Sequence, residues 1–384
     1  MNKKYIGPAL LALILILSSL SVIKFLVFKK QPQVLSPPSV PTTDTQNLKE
    51  AWFYEKLEGG RVACRLCPNN CLLADGQWGL CKARQNIGGT LYSKVYAKPT
   101  AIHVDPIEKK PFYHFLPGSQ AYSLATTGCS LSCKYCQNWD IAQRFPEDVK
   151  SRDMTPEEVV EEALESGAPV IAFTYSEPIV WYEYMYDIAK LAKERGLRTV
   201  MVSSGYINQE PLEKLIPLMD AIKVDLKGFD EEYYQKIVGG KLEPVLETLK
   251  TLAKSEVHYE IVVLLVTGLN DSEEEIRKMC GWIKENLGTD VPLHFSRFHP
   301  DYKLRNLPPT PIDTIKRARQ IAMEVGLKYV YTGNVPEFTE GNTTFCPDNN
   351  QPLIVRKGWF VEQNEVGEGG SSKTCPTKIP GVWE

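Results

Sequence analysis

At 384 residues, 43 % of them hydrophobic and 24 % charged, the chain can bury one large or two ordinary domains and is not a disordered protein. A formal charge of −3 provides no basic field for a phosphate backbone, so no nucleic-acid partner is expected. The ten cysteines fall in short clustered spacings, which reads as metal ligation in a reducing compartment rather than a disulfide framework.

Tyr5 to Ile23 is a nearly unbroken apolar run, followed by Lys24, the apolar patch Phe25 to Phe28, and Lys29-Lys30. At 1.5 Å per residue such a run spans a hydrocarbon core about 30 Å thick. It is longer than the roughly 7 to 15 residues of a signal-peptide core and lacks a clean small-residue cleavage site, so residues 1–30 are expected to form a transmembrane anchor. Residues 31–48, with Pro32, Pro37, Pro38 and Pro41 among Ser, Thr and Gln, form an extended tether.

Residues 49–118 are a cysteine-rich segment built around Cys64, Cys67, Cys71 and Cys81. Four thiolates within eighteen residues can close a tetrahedral site, and zinc and an auxiliary iron-sulfur cluster are both compatible. Pro68, Gly76 and Gly79 punctuate the segment and leave little regular core in which free cysteines could hide.

Residues 119–335 alternate apolar strands with amphipathic helices. The strands are Tyr122 to Thr126, Val170 to Thr174, Thr199 to Ser203, Ala221 to Leu226, Tyr259 to Val266, Pro292 to Phe298 and Lys328 to Tyr331. Between them, Thr155-Pro156-Glu157-Glu158 opens a helix with a capping box, and further helices run over Trp181 to Arg195, Gln209 to Leu218, Leu242 to Lys254, Ser272 to Asn286 and Pro311 to Val325. The pattern implies an α/β fold with a parallel sheet of about six βα units, a partial (β/α)6 TIM-like barrel whose site lies at the strands' carboxyl ends.

At the first of those ends stand Cys129, Cys133 and Cys136, in C-x3-C-x2-C spacing. Soft thiolates favour an iron-sulfur cluster or zinc, and three on one tight loop hold three corners of a 4Fe-4S cube, leaving one iron open. A structural zinc site wants a fourth protein ligand that the loop does not supply. Cys280, inside a helical pattern, reads as a packed core residue.

The Cys129 to Cys136 loop, with Tyr135 before its last cysteine, resembles the signature of the radical S-adenosylmethionine (SAM) superfamily. The segment Cys64 to Arg84, the stretch Lys110 to Gly118 and Ile379-Pro380-Gly381-Val382-Trp383 resemble the AmmeMemoRadiSam system radical SAM enzymes, relatives of the pyruvate formate-lyase activating enzyme. The resemblance implies a 4Fe-4S cluster on Cys129, Cys133 and Cys136 and reductive cleavage of SAM to a 5'-deoxyadenosyl radical that abstracts hydrogen from a protein or peptide. It further implies a one-electron donor such as flavodoxin or ferredoxin, hence a cytoplasmic catalytic body. The alternative is a non-catalytic, membrane-tethered, cysteine-rich metal-binding scaffold.

By the same resemblance Glu177 takes the place of the acid that holds the SAM amino group, with Tyr175 and Ser176 replacing two glycines and a helix N-cap as the competing role. Ser203 and Ser204 stand where a Thr-Asn pair reaches SAM. Asp225 and Lys227 match a D-x-K motif near the methionine portion, Val266 to Asp271 could pack beside the adenine, and His299 is assigned to the ribose; His294 is unassigned. Residues 336–384 resemble a degenerate zinc ribbon in which Cys346 and Cys375 alone remain of two C-x2-C knuckles, and the tail is expected to be metal-free.

Overall fold

The computed structural model describes residue 45 and residues 47–384. The expected anchor and most of the tether lie outside the described residues, among which no helix is long and apolar enough to cross a membrane.

The cysteine-rich segment forms two small antiparallel sheets. Strands β1 (Lys49–Glu50), β2 (Tyr54–Leu57), β3 (Arg61–Cys64), β4 (Leu72–Leu73), β5 (Arg84–Ile87) and β6 (Thr90–Ser93) pair in the orders β2-β3-β4 and β1-β6-β5. Its apolar residues Val62, Leu66, Leu73 and Leu91 share one core with Leu124, Phe173 and Val224 of the main sheet.

That sheet has eight strands in chain order: β7 (Ala101–Pro106), β8 (Gln120–Ala125), β9 (Val170–Phe173), β10 (Arg198–Ser203), β11 (Ala221–Asp225), β12 (His258–Leu265), β13 (Leu293–Arg297) and β14 (Val330–Gly333). From β8 to β14 every pairing is parallel, so the sheet has seven parallel strands where the sequence suggests about six βα units. Strand β7, not anticipated, runs antiparallel to β8. It carries exposed His103 and Val104 and ends in Pro106, which suits an edge strand and hides it from a search for buried parallel strands.

The helices form where their termini and stripes predict. The Thr155 hydroxyl accepts from Glu158 N (3.3 Å) while the Glu158 carboxylate accepts from Thr155 N (2.7 Å), opening Pro156–Glu165 with the expected capping box. In Glu273–Leu287 the buried residues Ile276, Met279, Cys280 and Ile283 follow the i, i+3, i+4, i+7 rule, so Cys280 is a core side chain.

The amino ends of the strands are closed from below by the Lys110 to Gly118 stretch and the tail. Glu260, third residue of β12, accepts from Tyr113 N and His114 N and from the His294 and His258 rings. Val382 N donates to His114 O, and Leu116 N donates to Val382 O, so two of the three stretches that carry the family resemblance, Lys110 to Gly118 and Ile379 to Trp383, form one hydrogen-bonded unit. Fully buried Arg356, from the sheet β15 (Thr344–Phe345), β16 (Pro352–Lys357) and β17 (Phe360–Asn364), donates to Tyr113 O at 2.6 Å and lies 3.6 Å from buried Glu108. Cys346 and Cys375 are joined as a disulfide, which corrects the expectation that the chain's cysteines serve metal ligation and not disulfides. Twenty-nine residues separate them, so chain spacing gave no hint of the pairing.

Candidate functional site

Cys129, Cys133 and Cys136 leave the carboxyl end of β8 on a loop that is stitched to its surroundings through its backbone. Ser132 N donates to Val238 O (3.0 Å), Lys134 N to Ile237 O (2.9 Å), and Lys303 N to Lys134 O (2.9 Å). The first two bonds need close approach to Gly239, where an added Cβ would stand 2.1 Å from the Ser132 hydroxyl. Gly239 also has a φ of +80°, which a side chain resists.

Burial pushes all three thiols upward, Cys136 to about 12. The Glu177 carboxylate adds to this at Cys129, whereas the Lys227 cation opposes it at Cys133. The loop therefore holds protonated thiols until a metal displaces the protons.

Glu177, only 3 % exposed, follows β9 and reaches across to the end of β10. Its Oε1 accepts from the Ser203 hydroxyl (2.7 Å), and its Oε2 accepts from Ser204 N (2.9 Å) and the Ser204 hydroxyl (2.5 Å). Ile179 N adds a longer bond of 3.4 Å, so Glu177 also caps the short helix Pro178–Trp181. Burial raises its proton affinity, and the two serines and Lys227 offset this only in part. Tyr175 holds a φ of +64°, so it adopts the left-handed backbone that the family's glycine would take freely. The Asn138 amide donates to Tyr175 O (2.7 Å) and fixes that turn to the segment after the cysteines. The Tyr175 hydroxyl donates to Asp105 (2.6 Å), which also pairs with Lys109 and Lys110. Burial lowers the Lys110 ammonium to about 8 against the pull of Asp105.

Asp225, at the end of β11, lies between two ammonium groups, Lys223 at 2.9 Å and Lys227 at 3.0 Å. Burial alone would raise its pKa, but the two lysines bring it to about 2. Lys227 is held by Tyr234 and Asn270, which bond its N and O. Lys223 was missed in the sequence, although a lysine two residues before Asp225 in an apolar strand must share its face. Ser204 was noted but its part in holding Glu177 was not readable, because the contact crosses from β9 to β10.

Not every expected residue joins this group. His299 is exposed, beyond the end of β13 on the segment that touches the cysteine loop through Lys303. His294 lies at the opposite end of β13, bonded at 2.6 Å to Glu260. In Val266 to Asp271, Asn270 is spent on Val266 N, Leu264 O and Lys227 O. The four cysteines of the amino-terminal segment converge on a separate pocket with Leu66, Asn69 and Arg84.

Residues 123–283, which contain the loop, Glu177, Ser203, Asp225 and Lys227, match the model of the radical SAM superfamily. The uncharacterized protein MJ0808 of Methanocaldococcus jannaschii is 47 % identical over 309 residues, 80 % of this chain and 92 % of that protein. The chain belongs to the radical SAM superfamily.

It is a radical SAM enzyme, and the cofactors of its class are a 4Fe-4S cluster and SAM. The pyruvate formate-lyase-activating enzyme of Clostridium pasteurianum is 29 % identical over 47 % of this chain and 80 % of its own length. The pyruvate formate-lyase 1-activating enzyme of Escherichia coli is 24 % identical over 53 % and 89 %. Among solved structures, a radical SAM methyltransferase from Sphaerobacter thermophilus aligns over 59 % of this chain and 70 % of that one, at 16 % identity and a TM-score of 0.45. The donor set suits a cluster with one open iron: three soft sulfurs on a clamped loop, a cation beside Cys133 and a buried carboxylate beside Cys129.

Proposed function

We propose that Cys129, Cys133 and Cys136 hold a 4Fe-4S cluster at which SAM is reductively cleaved, and that the resulting radical abstracts hydrogen from a protein or peptide. When bound, the cluster delivers one electron to the SAM sulfonium, yielding methionine and the 5'-deoxyadenosyl radical. The observation that carries the reading is the meeting of the cysteine loop with Glu177 and the Asp225–Lys227 pair at the carboxyl ends of four adjacent strands.

Glu177, oriented by Ser203 and Ser204, offers a carboxylate to the amino group of SAM. Lys227 and Asp225 place a positive and a negative group where the methionine portion would lie. His299, beyond β13 at the mouth, would reach the ribose. Likeness to the activating enzymes supports a protein substrate and a donor of the flavodoxin or ferredoxin class. The paired motifs Lys110 to Gly118 and Ile379 to Trp383 support membership of the AmmeMemoRadiSam group.

The apolar run Tyr5 to Ile23 supports a membrane anchor, and the need for SAM, a low-potential reductant and reduced thiols supports a body on the cytoplasmic side. The Cys346–Cys375 disulfide argues the other way. Labelling of a reporter thiol near Thr42 by an impermeant reagent in intact cells would place the body outside.

Anaerobic reconstitution followed by dithionite and SAM tests the activity. 5'-Deoxyadenosine is expected, and its loss in the Cys129→Ala, Cys133→Ala, Cys136→Ala variant. Its formation by that variant overturns the assignment of the cluster to these three cysteines, and its absence from the wild type overturns the reading in favour of a non-catalytic scaffold.

A further inference from the structure

The amino-terminal cysteines lie against the loop just described. Cys129 N donates to Cys81 O at 3.2 Å, and the Asn69 amide donates to Ser130 O at 2.7 Å. Gly128 makes the junction possible: an added Cβ would stand 2.6 Å from Cys81 O and 3.1 Å from the Ala83 side chain. Its φ of +110° also excludes a comfortable side chain.

Cys64, Cys67, Cys71 and Cys81 line one small pocket together with Leu66, Leu73 and Val180. Arg84, 1 % exposed, lines the same pocket and pairs with fully buried Glu183 at 2.5 Å, which places a fixed cation beside the sulfurs. Spacing separates a single ion from a cluster. One zinc ion with bonds of about 2.3 Å draws its four sulfurs to within about 3.8 Å of one another. Among the described residues, the one set of three His, Cys, Asp or Glu donors lying mutually within 4.8 Å is Cys346, Asp348 and Cys375. No three of the four amino-terminal cysteines approach that closely. A cubane requires such separation, because each thiolate binds a different iron.

We propose that Cys64, Cys67, Cys71 and Cys81 hold a second 4Fe-4S cluster, which passes single electrons across the Cys81–Cys129 junction to the cluster on the Cys129 to Cys136 loop. In each transfer the second cluster is oxidised by one electron and the loop cluster reduced by one, with no bond or proton moved. A one-electron donor protein of the flavodoxin or ferredoxin class restores the second cluster and is itself oxidised. The relay rests on the function proposed above; occupancy of the second site does not.

The test uses the full chain, purified anaerobically. The Cys129→Ala, Cys133→Ala, Cys136→Ala variant keeps the second site and should contain about four irons per chain, against about eight in the wild type. Its reduced paramagnetic signal should not respond to SAM. Zinc in place of iron in this variant overturns the proposal, whether or not the wild type cleaves SAM. For the relay, the fully reduced wild type should show a signal broadened by coupling between two neighbouring clusters, lost in the variant above and in Cys64→Ser, Cys67→Ser. A wild-type spectrum equal to the sum of the two variants' spectra overturns it. Should Cys64→Ser, Cys67→Ser not fold, the broadening is read in the wild type alone, as growth between one-electron and two-electron reduction; its absence there overturns the relay.

Discussion

Ser204 holds Glu177 by two bonds, its backbone N at 2.9 Å and its hydroxyl at 2.5 Å, both to Oε2. A neutral amide would be expected at this position from the activating enzymes, yet a serine here fixes the carboxylate from one side while Ser203 fixes it from the other. Ser204→Ala removes one charge-assisted buried bond, a loss of about 1.5 to 3 kcal/mol. SAM affinity should fall roughly tenfold or more, and Glu177→Gln should reduce it further. Binding is read from the SAM-induced change in the reduced cluster's paramagnetic spectrum; unaltered affinity in Glu177→Gln would remove this residue from the SAM site.

Asp225 neutralises two lysines, and its replacement leaves both without their anion. Lys223 is 6 % exposed, so it cannot turn to water. Asp225→Asn should destabilise the protein in denaturant unfolding by less than the about 3 to 5 kcal/mol of a fully buried pair, because Asp225 is 31 % exposed while the buried Lys223 is left uncompensated. Adding Lys223→Met should restore part of that loss. Equal stability of the single and double variants would show that Lys223 does not carry the cost.

Gly239 and Gly281 make a matched pair. Gly239→Ala would drive a Cβ into Ser132 and impose a strained φ, displacing the cysteine loop. Iron at the loop should fall well below the wild-type content. Gly281 lies within the helix Glu273–Leu287 with nothing within 4 Å of an added Cβ. Gly281→Ala should raise stability by about 0.5 to 1 kcal/mol and leave iron content unaltered. Iron analysis and thermal unfolding decide both.

His114 makes the fold sensitive to acid. Pro380 O can only accept, so the Nδ1 at 2.6 Å carries the proton and Nε2 accepts from the Tyr331 hydroxyl at 2.6 Å. Burial holds the ring neutral by lowering its pKa from 6.5 to about 3. Between those values the unfolded chain binds a proton that the folded chain does not, so stability falls as pH drops below 6.5. From pH 7 to pH 5 the contribution lost is about 2 kcal/mol. His114→Gln should show a pH profile flatter by about that amount in denaturant titrations. Parallel profiles would mean that His114 is already charged at pH 5.

How much was legible follows from which contacts are local. The capping box at Thr155, the i, i+3, i+4, i+7 stripe around Cys280 and the buried run Val170–Phe173 each arise within one element, so sequence periodicity determined them. The three-cysteine spacing is likewise local, because a tight loop brings its own thiols together. What only the tertiary structure decided are pairings between elements. The antiparallel edge strand β7 alternates Ile102 and Val104 with His103 and Asp105 but leaves Val104 exposed, and its place in the sheet comes from its ladder with β8. Glu177 meets Ser204 because two parallel strands end side by side. Cys346 meets Cys375, and His114 meets Pro380, across long stretches of chain. The Cys81–Cys129 junction depends on Gly128 lacking a side chain and on a packed core that presses two segments together. Sequence spacing names the groups that can do chemistry; the sheet decides which of them face one another, since nothing in a local pattern records the distance between strands.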